Sequence, residues 1–357
     1  MPNILDIRRR IRSVVNTRQI TRAMKMVSAA KLRRAQERAL AARPYAHMLT
    51  NVLKSLVARA EIYDPETGEP KHPLLAHREE KNILLIVVTG DKGLAGAFNA
   101  NVTKAAFRFL ESKSGQNVDI EAIGRKGRDF LKRRYPAARV QTRSLAELAE
   151  SVESEPEEKE RVAAVQITGE HVGVLNKVEF AQASALAENV IHRYTREEID
   201  AVYIVFNEFK SVIAQRLIVE QVLPIEHIGE QTVRLAEELT EEEKKKAKEA
   251  AVSAGVGMRP SEGEEGGEFG TSQVDYIYEQ PPAELFRALL PKYVSIQILR
   301  ALLESVAAEH AARMTAMDAA TNNATDMVDS LTLAMNRARQ AKITKEIIEI
   351  VSGAAAM

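Results

Sequence analysis

Residues 296–341 read "IQILRALLESVAAEHAARMTAMDAATNNATDMVDSLTLAMNRARQA", and this stretch decides the fold. Mostly apolar or small residues recur along it, alternately three and four positions apart, which is the pattern of a helix packed along another helix. No proline follows Pro291, and no glycine lies between it and Gly353. We therefore expect one helix over about 284–351, ~100 Å long. The predicted seam consists of Ile296, Leu299, Leu303, Val306, His310, Arg313, Met317, Ala320, Ala324, Met327, Leu331, Ala334, Ala338 and Ala341.

The partner of this helix is the start of the chain. Residues 4–43 contain neither glycine nor proline, and apolar residues follow a helical stripe. The stripe begins at Ile4, Ile7, Ile11 and Val14, then slips to Ile20, Met24 and Val27. Pro44 is expected to kink or interrupt the helix, because proline removes a backbone donor. The fold predicted for the two ends is a long antiparallel coiled coil of helices 1–60 and 284–357.

The middle of the chain has a different pattern. Short apolar runs at 82–90, 118–124 and 200–207 alternate with helical stretches near 99–113 and 175–195. Such alternation predicts a largely parallel sheet, so the fold class is α/β, with a Rossmann-like βαβ domain at 82–225. Residues 229–270 are rich in Glu and Lys and then in Gly, which predicts a charged helix that leads into a flexible insertion.

Composition excludes several classes of protein. Lys and Arg total 50, Asp and Glu total 50, and there is no cysteine, so disulfides and thiolate metal sites are ruled out. The charge is nevertheless uneven, because residues 1–59 hold 14 basic residues and two acids. A basic coiled coil that binds nucleic acid therefore stays open as an alternative. A basic rod within an acidic protein sleeve explains the same charge.

The sequence matches known catalytic and ligand-binding motifs only weakly. Gly90, Gly93 and Gly96 follow a strand, as the glycines of a dinucleotide-binding loop do, so a dinucleotide-binding enzyme is a second alternative. Their spacing, however, matches neither dinucleotide nor phosphate loops. No histidine pair has metal-ligand spacing, and no nucleophile motif occurs. His310 and Arg313 interrupt the apolar seam, either as a register device or to reach an acid on a partner. The apolar end of the chain, including Ile347 and Ile350, indicates a socket in another protein.

Three stretches resemble one family. "IRRRIRSVVNTRQITRAMKMVSAAKLRRAQ" (7–36), "TGDKGLAGAFN" (89–99) and "EHAARMTAMDAATNNATDMVDSLTLAMNRARQAKITKEIIEIVSGA" (309–354) resemble the gamma subunits of rotary F-type ATP synthases. Their order is the family's order, and the resemblance spans nearly the whole chain. The segment 229–270 looks longer than the usual family loop.

The resemblance implies a rotor shaft that has no catalytic site, cofactor or metal of its own. It implies one copy inside a ring of three alpha and three beta subunits, with the α/β foot against epsilon and the membrane c-ring, and no nucleic acid. The location implied is the cytoplasmic side of a bacterial inner membrane, peripherally. The catalytic-ring contacts carried over by motif are Met24, Lys25, Arg313, Arg339, Gln340, Thr344 and Glu349, and the foot contacts are Gly90, Gly93, Gly96 and Asn99. We expect charge reversal at Arg313 to lower coupling and leave folding intact.

Overall fold

A computed structural model describes residues 4–57, 70–136, 163–212, 215–225, 233–238, 241–255 and 278–355. The two longest helices are terminal, with α1 at Ile4–Val57 and α6 at Pro282–Ala355. Between them lie four shorter helices: α2 Phe98–Ser112, α3 Arg125–Arg134, α4 Phe180–Thr195 and α5 Glu241–Ser253. The strands are β1 Asn82–Val88, β2 Asn117–Ile123, β3 Val165–His171, β4 Ala201–Phe209, β5 Gln215–Leu223 and β6 Val233–Glu238.

The six strands form one sheet in the order β3-β2-β1-β4-β5-β6. The four strands from β3 to β4 are parallel, whereas β5 pairs antiparallel with β4 and β6 pairs antiparallel with β5. Alternate residues of the buried strand β1 supply two separate cores. Ile83, Leu85 and Val87 pack in the core that includes α2, and Leu84, Ile86 and Val88 in the core that includes α4 and the base of the rod. The α/β foot is thus a three-layer domain.

The two terminal helices pack antiparallel as a rod. Thr21 lies opposite Thr321, with their hydroxyl oxygens 2.8 Å apart. The base of the rod enters the foot, because Leu53 near the end of α1 and Leu290 and Val294 near the start of α6 are fully buried in the core with α4. The coiled coil and α/β foot predicted from sequence are therefore confirmed. Helix α1 runs through Pro44 without interruption.

The predicted slip of the α1 stripe is wrong. Ile20 and Val27 are 60% and 57% exposed. The buried and half-buried positions instead keep a strict 3-4 spacing, and some of them are polar. These positions are Ile4, Ile7, Ile11, Val14, Arg18, Thr21, Lys25, Ser28, Leu32, Ala35 and Ala39. Thr21, Lys25 and Ser28 can occupy the seam because each finds a partner across it or on its own helix, as Thr21 does with Thr321.

The covered positions of α6 differ from the predicted seam beyond Ala324. Met317 and Ala324 are buried as predicted, but Met327 is 53% exposed and Ala334 is exposed. Val328 and Met335, one residue further along, are half-buried instead. The sequence places apolar or small side chains at both sets of positions, so spacing alone could not choose between a 3-4 and a 4-3 repeat.

The segment 229–270 contains a charged helix, as expected, and a strand that was not expected. Its described part includes β6 on the edge of the sheet and helix α5. Ala250 and Ala251 of α5 are fully buried in a cluster with Leu32 of α1 and Ala311 of α6. The expected flexible glycine-rich part, residues 256–270, lies outside the described residues. Strand β3 was also missed, because Gln166, Thr168 and Glu170 break its apolar run.

Candidate functional site

The upper rod contains an ion pair that ties three helices together. The ammonium group of Lys25 lies 2.6 Å from Oδ1 of Asp318 and also donates to Oγ of Ser253. The side chains of Lys25 and Asp318 are 9% and 16% exposed. Lys25, predicted to contact a partner, is thus used inside the chain, where it joins α1, α6 and α5. Asp318 and Ser253 were not found from the sequence, although the 3-4 spacing that continues through Lys25 could have placed Lys25 itself in the seam.

The other residues carried over for the catalytic ring lie along the rod. Met24 is half-buried, whereas Arg339, Gln340, Thr344 and Glu349 are exposed on α6. The hydroxyl of Thr344 donates to the carbonyl of Gln340 at 3.0 Å. These four exposed residues are available to a partner, unlike Lys25.

The tip of the rod is a single helix with an uncovered apolar surface. Because Thr21 lies opposite Thr321 in an antiparallel pair, Ile4 lies opposite about residue 338. From Lys342 to Ser352, every residue of α6 is exposed. Ile348, Ile350 and Val351 are 58%, 71% and 61% exposed. Lys342–Glu346 and Lys345–Glu349 form exposed ion pairs at 3.6 and 3.5 Å, which keep the tip charged between its apolar residues.

The predicted foot contacts form a turn that faces the rod. The backbone N–H of Gly90 donates to Oδ1 of Asn99 at 2.8 Å, and Nδ2 of Asn99 donates to the carbonyl of Lys92 at 3.3 Å. A Cβ at Gly90 would lie 2.7 Å from Oε1 of Glu309, so a side chain there would displace the Glu309 carboxylate. Gly96 has φ +56° and faces α6 at Ala316. Gly90 is buried, Asn99 is half-buried, and Gly93 and Gly96 are exposed.

Arg313 fastens this turn to α6. Its guanidinium lies 2.5 Å from Oε1 of Glu309 and donates to the carbonyl of Gly93 at 3.4 Å. Arg313 is 8% exposed, so it is buried within the chain. The structure changes our expectation for its charge reversal, since an acid at 313 would face Glu309 without a cation and would affect folding as well. From the sequence, Arg313 was interpreted either as a register device or as a contact with an acid on a partner. In the structure it binds Glu309 and Gly93 of its own chain.

His310 stays uncharged beside Arg313. Burial, followed by the charges of Arg313 and Lys31, lowers the pKa of His310 to about 4. Nδ1 of His310 lies 3.3 Å from Nη1 of Arg313. A guanidinium can only donate, so the neutral imidazole is the acceptor.

The edge of the sheet where α/β proteins bind ligands is occupied by the chain itself. The strand order changes direction between β1 and β4, and ligand crevices form at the carboxyl ends of strands at such a point. Here Glu309 of α6 lies against Gly90, directly after β1. This contact leaves no open crevice for a dinucleotide at Gly90.

The described residues also contain no trio of His, Asp or Glu side chains placed to hold a metal ion. Across the same ranges, no helix combines the length and apolar character that crossing a membrane requires.

Comparison with known proteins gives consistent results. Residues 3–357 match the family model described as ATP synthase. The ATP synthase gamma chain of Solibacter usitatus (strain Ellin6076) is 48% identical over 356 residues, covering 100% of this chain and 99% of that relative. The gamma chain of Geobacter metallireducens is 41% identical over 356 residues, covering 99% and 98%. That of Pelotomaculum thermopropionicum is 39% identical over 357 residues and covers both chains fully.

Among solved structures, a chain of the central stalk and c-ring of the Tetrahymena thermophila mitochondrial ATP synthase aligns with a TM-score of 0.49 at 20% identity. The alignment covers 84% of this chain and 99% of that one.

Proposed function

The chain belongs to the family of ATP synthase gamma chains, and from this premise we propose that it is the central rotor shaft of an ATP synthase. It couples ion flow through a membrane ring to ATP synthesis or hydrolysis in a surrounding ring of catalytic subunits. The observation that supports this role best is the rod, in which α6 continues beyond α1 and ends in exposed apolar turns. An uncovered apolar tip of this kind requires a protein socket.

A rod of two different helices couples sites by its asymmetry. Three identical catalytic sites arranged around it meet three different faces, so each site favours a different conformation and nucleotide affinity. Turning the rod exchanges these faces and therefore the affinities. The apolar side chains of the tip, such as Ile347 and Ile350, suit rotation because few directional hydrogen bonds must break.

We propose specific partners on the same basis. One copy of the chain stands in a ring of three alpha and three beta subunits, and the foot contacts epsilon and the c-ring. The complex is peripheral on the cytoplasmic side of the membrane. Residues 1–60 and 284–357 form the shaft, 82–225 the foot and 229–270 an insertion. The foot turn presents Leu94, which is 61% exposed, while Gly90 and Asn99 serve contacts within the chain.

Arg339, Gln340, Thr344 and Glu349 remain our proposed contacts with the catalytic ring, because their side chains are exposed. Met24, half-buried, is proposed as a secondary contact. The roles of Lys25 and Arg313 are proposed to be indirect, since both hold the rod in shape through Asp318 and Glu309.

Two measurements test the proposal. Purified with its complex, the chain should be present as one copy per three copies of each of two larger nucleotide-binding proteins. Removal of residues 342–357 should leave the unfolding of the rest unchanged, because every residue from Lys342 to Ser352 is exposed. The same truncation should lower ATP-driven ion pumping relative to ATP hydrolysis. The control is Lys345→Ala with Glu349→Ala, which removes one exposed ion pair and keeps the tip. Full pumping by the truncated chain would argue against the role of the tip.

A further inference from the structure

A cavity of about 180 Å³ lies where the rod meets the foot. Its walls come from α1, α6, the loop after β1 and the segment after β3. Five cationic side chains line it, against two carboxylates. The cations are Lys31, Arg34, Arg38, Lys92 and Arg313, and the acids are Asp91 and Glu309.

Both acids are already engaged, whereas most of the cations are not. Glu309 pairs with Arg313 at 2.5 Å. Asp91 accepts hydrogen bonds from the backbone N–H groups of Arg125 and Gly173, each at 3.0 Å. Within the described part of the chain, Lys31, Arg34, Arg38 and Lys92 form no ion pair. The cavity therefore has an uncompensated positive charge.

The position of the cavity, like its positive charge, favours ligand binding. Asp91 and Lys92 follow β1, at the carboxyl edge of the sheet and next to the change in strand direction, where α/β folds bind ligands. Helix α6 fills the crevice at Gly90, but the space beside Glu309 and His310 remains open. A tetrahedral oxyanion is small enough for this space.

We propose that this cavity binds a small oxyanion of the phosphate class, held between Arg34 and Arg38 of α1 and Lys92 of the foot. Arginine side chains suit such a ligand because their forked N–H groups match the spacing of phosphate oxygens. A bound anion would contact the rod and the foot together and so hold them in one arrangement. This inference does not depend on the proposed rotary role.

The test uses the full chain and inorganic phosphate as the probe. Binding is measured by calorimetry and by the rise in thermal unfolding temperature, with sodium chloride adjusted to keep ionic strength constant. We expect phosphate to raise the unfolding temperature where chloride does not. Arg34→Ala and Arg38→Ala should each weaken phosphate binding by about tenfold or more, the usual loss for a hydrogen bond to a charged group.

Arg33→Ala is the matched control, because Arg33 neighbours Arg34 but pairs with Glu37 on the exposed surface and does not line the cavity. All three arginines are exposed, so their loss should not disturb folding. Three results would overturn the proposal. They are no response to phosphate beyond that to chloride, an equal loss with Arg33→Ala, or unchanged phosphate affinity in the Arg34→Ala and Arg38→Ala variants.

Discussion

Replacing Lys25 by methionine tests whether the ion pair in the upper rod stabilises the chain. The substitution keeps the length and apolar stem of the side chain but leaves Asp318 without its cation. Asp318 is 16% exposed, so most of its carboxylate surface has lost access to water. Breaking a buried pair by removing one partner costs about 3–5 kcal/mol. Because Asp318 keeps some exposure, we expect the lower end, about 3 kcal/mol.

The assay is unfolding in urea followed by helix ellipticity, since α1 and α6 contain 54 and 74 residues. With a denaturant slope of about 3 kcal/mol per molar, the midpoint should fall by about 1 M. The control is Arg33→Met, which breaks an exposed pair with Glu37 and should cost about 0.3–0.5 kcal/mol.

A second variant separates the charge from the packing. Combining Lys25→Met with Asp318→Leu removes both ions, and replacing a buried pair by apolar residues is often neutral or stabilising. The double variant should therefore regain most of the lost stability. If Lys25→Met alone changes the midpoint no more than Arg33→Met does, the pair is not the stabilising contact that its burial indicates.

Four further predictions address the rod and its junction with the foot. Thr21→Cys with Thr321→Cys should form a disulfide under mild oxidation in this cysteine-free chain, whereas Arg22→Cys with Thr321→Cys should not, as judged by gel mobility with and without reductant. Gly90→Ala should destabilise the chain by about 1–3 kcal/mol in urea through overpacking against Glu309, while Gly115→Ala, with open space around it, should be neutral. Arg313→Glu should lower the free energy of unfolding of the isolated chain by about 3–5 kcal/mol, and normal stability would contradict the burial argument. The neutral form of His310 stabilises the fold above pH 6.5, and that stability is lost as pH falls through the lowered pKa of about 4. Relative to His310→Gln, the chain should lose up to about 3 kcal/mol over that range in urea titrations.

The heptad spacing predicted the rod because apolar residues must be covered along the whole length of so long a helix. It failed where the covered residue was polar. Lys25 and Ser28 continue the seam of α1, but a pattern of apolar residues shifts the stripe to Ile20 and Val27. The partner that makes Lys25 acceptable is Asp318, 293 positions away in the chain, and no local signal reveals it.

For the site residues, too, the sequence predicted local features but not the contacts between distant residues. Motifs identified the turn from Gly90 to Asn99 and the arginine at 313, but they could not show that these groups contact each other. Their contact depends on how α6 crosses the edge of the sheet, which is a tertiary property. Strand β3 was missed for a related reason, since its polar residues alternate with buried ones.

The distribution of burial along α6 explains how one helix can serve both as an anchor and as a bearing surface. At its base, Leu290, Val294 and Ile298 are fully buried in the core of the foot. One level higher, Glu309 and Arg313 fasten the helix to the turn after β1. At the tip, Ile350 is 71% exposed and lies beyond the turn of α6 that is opposite Ile4. A shaft must be rigid where it receives force and free of fixed contacts where it turns, and burial decreases along α6 in that order. The same attachment of α6 to the foot fills the crevice at Gly90.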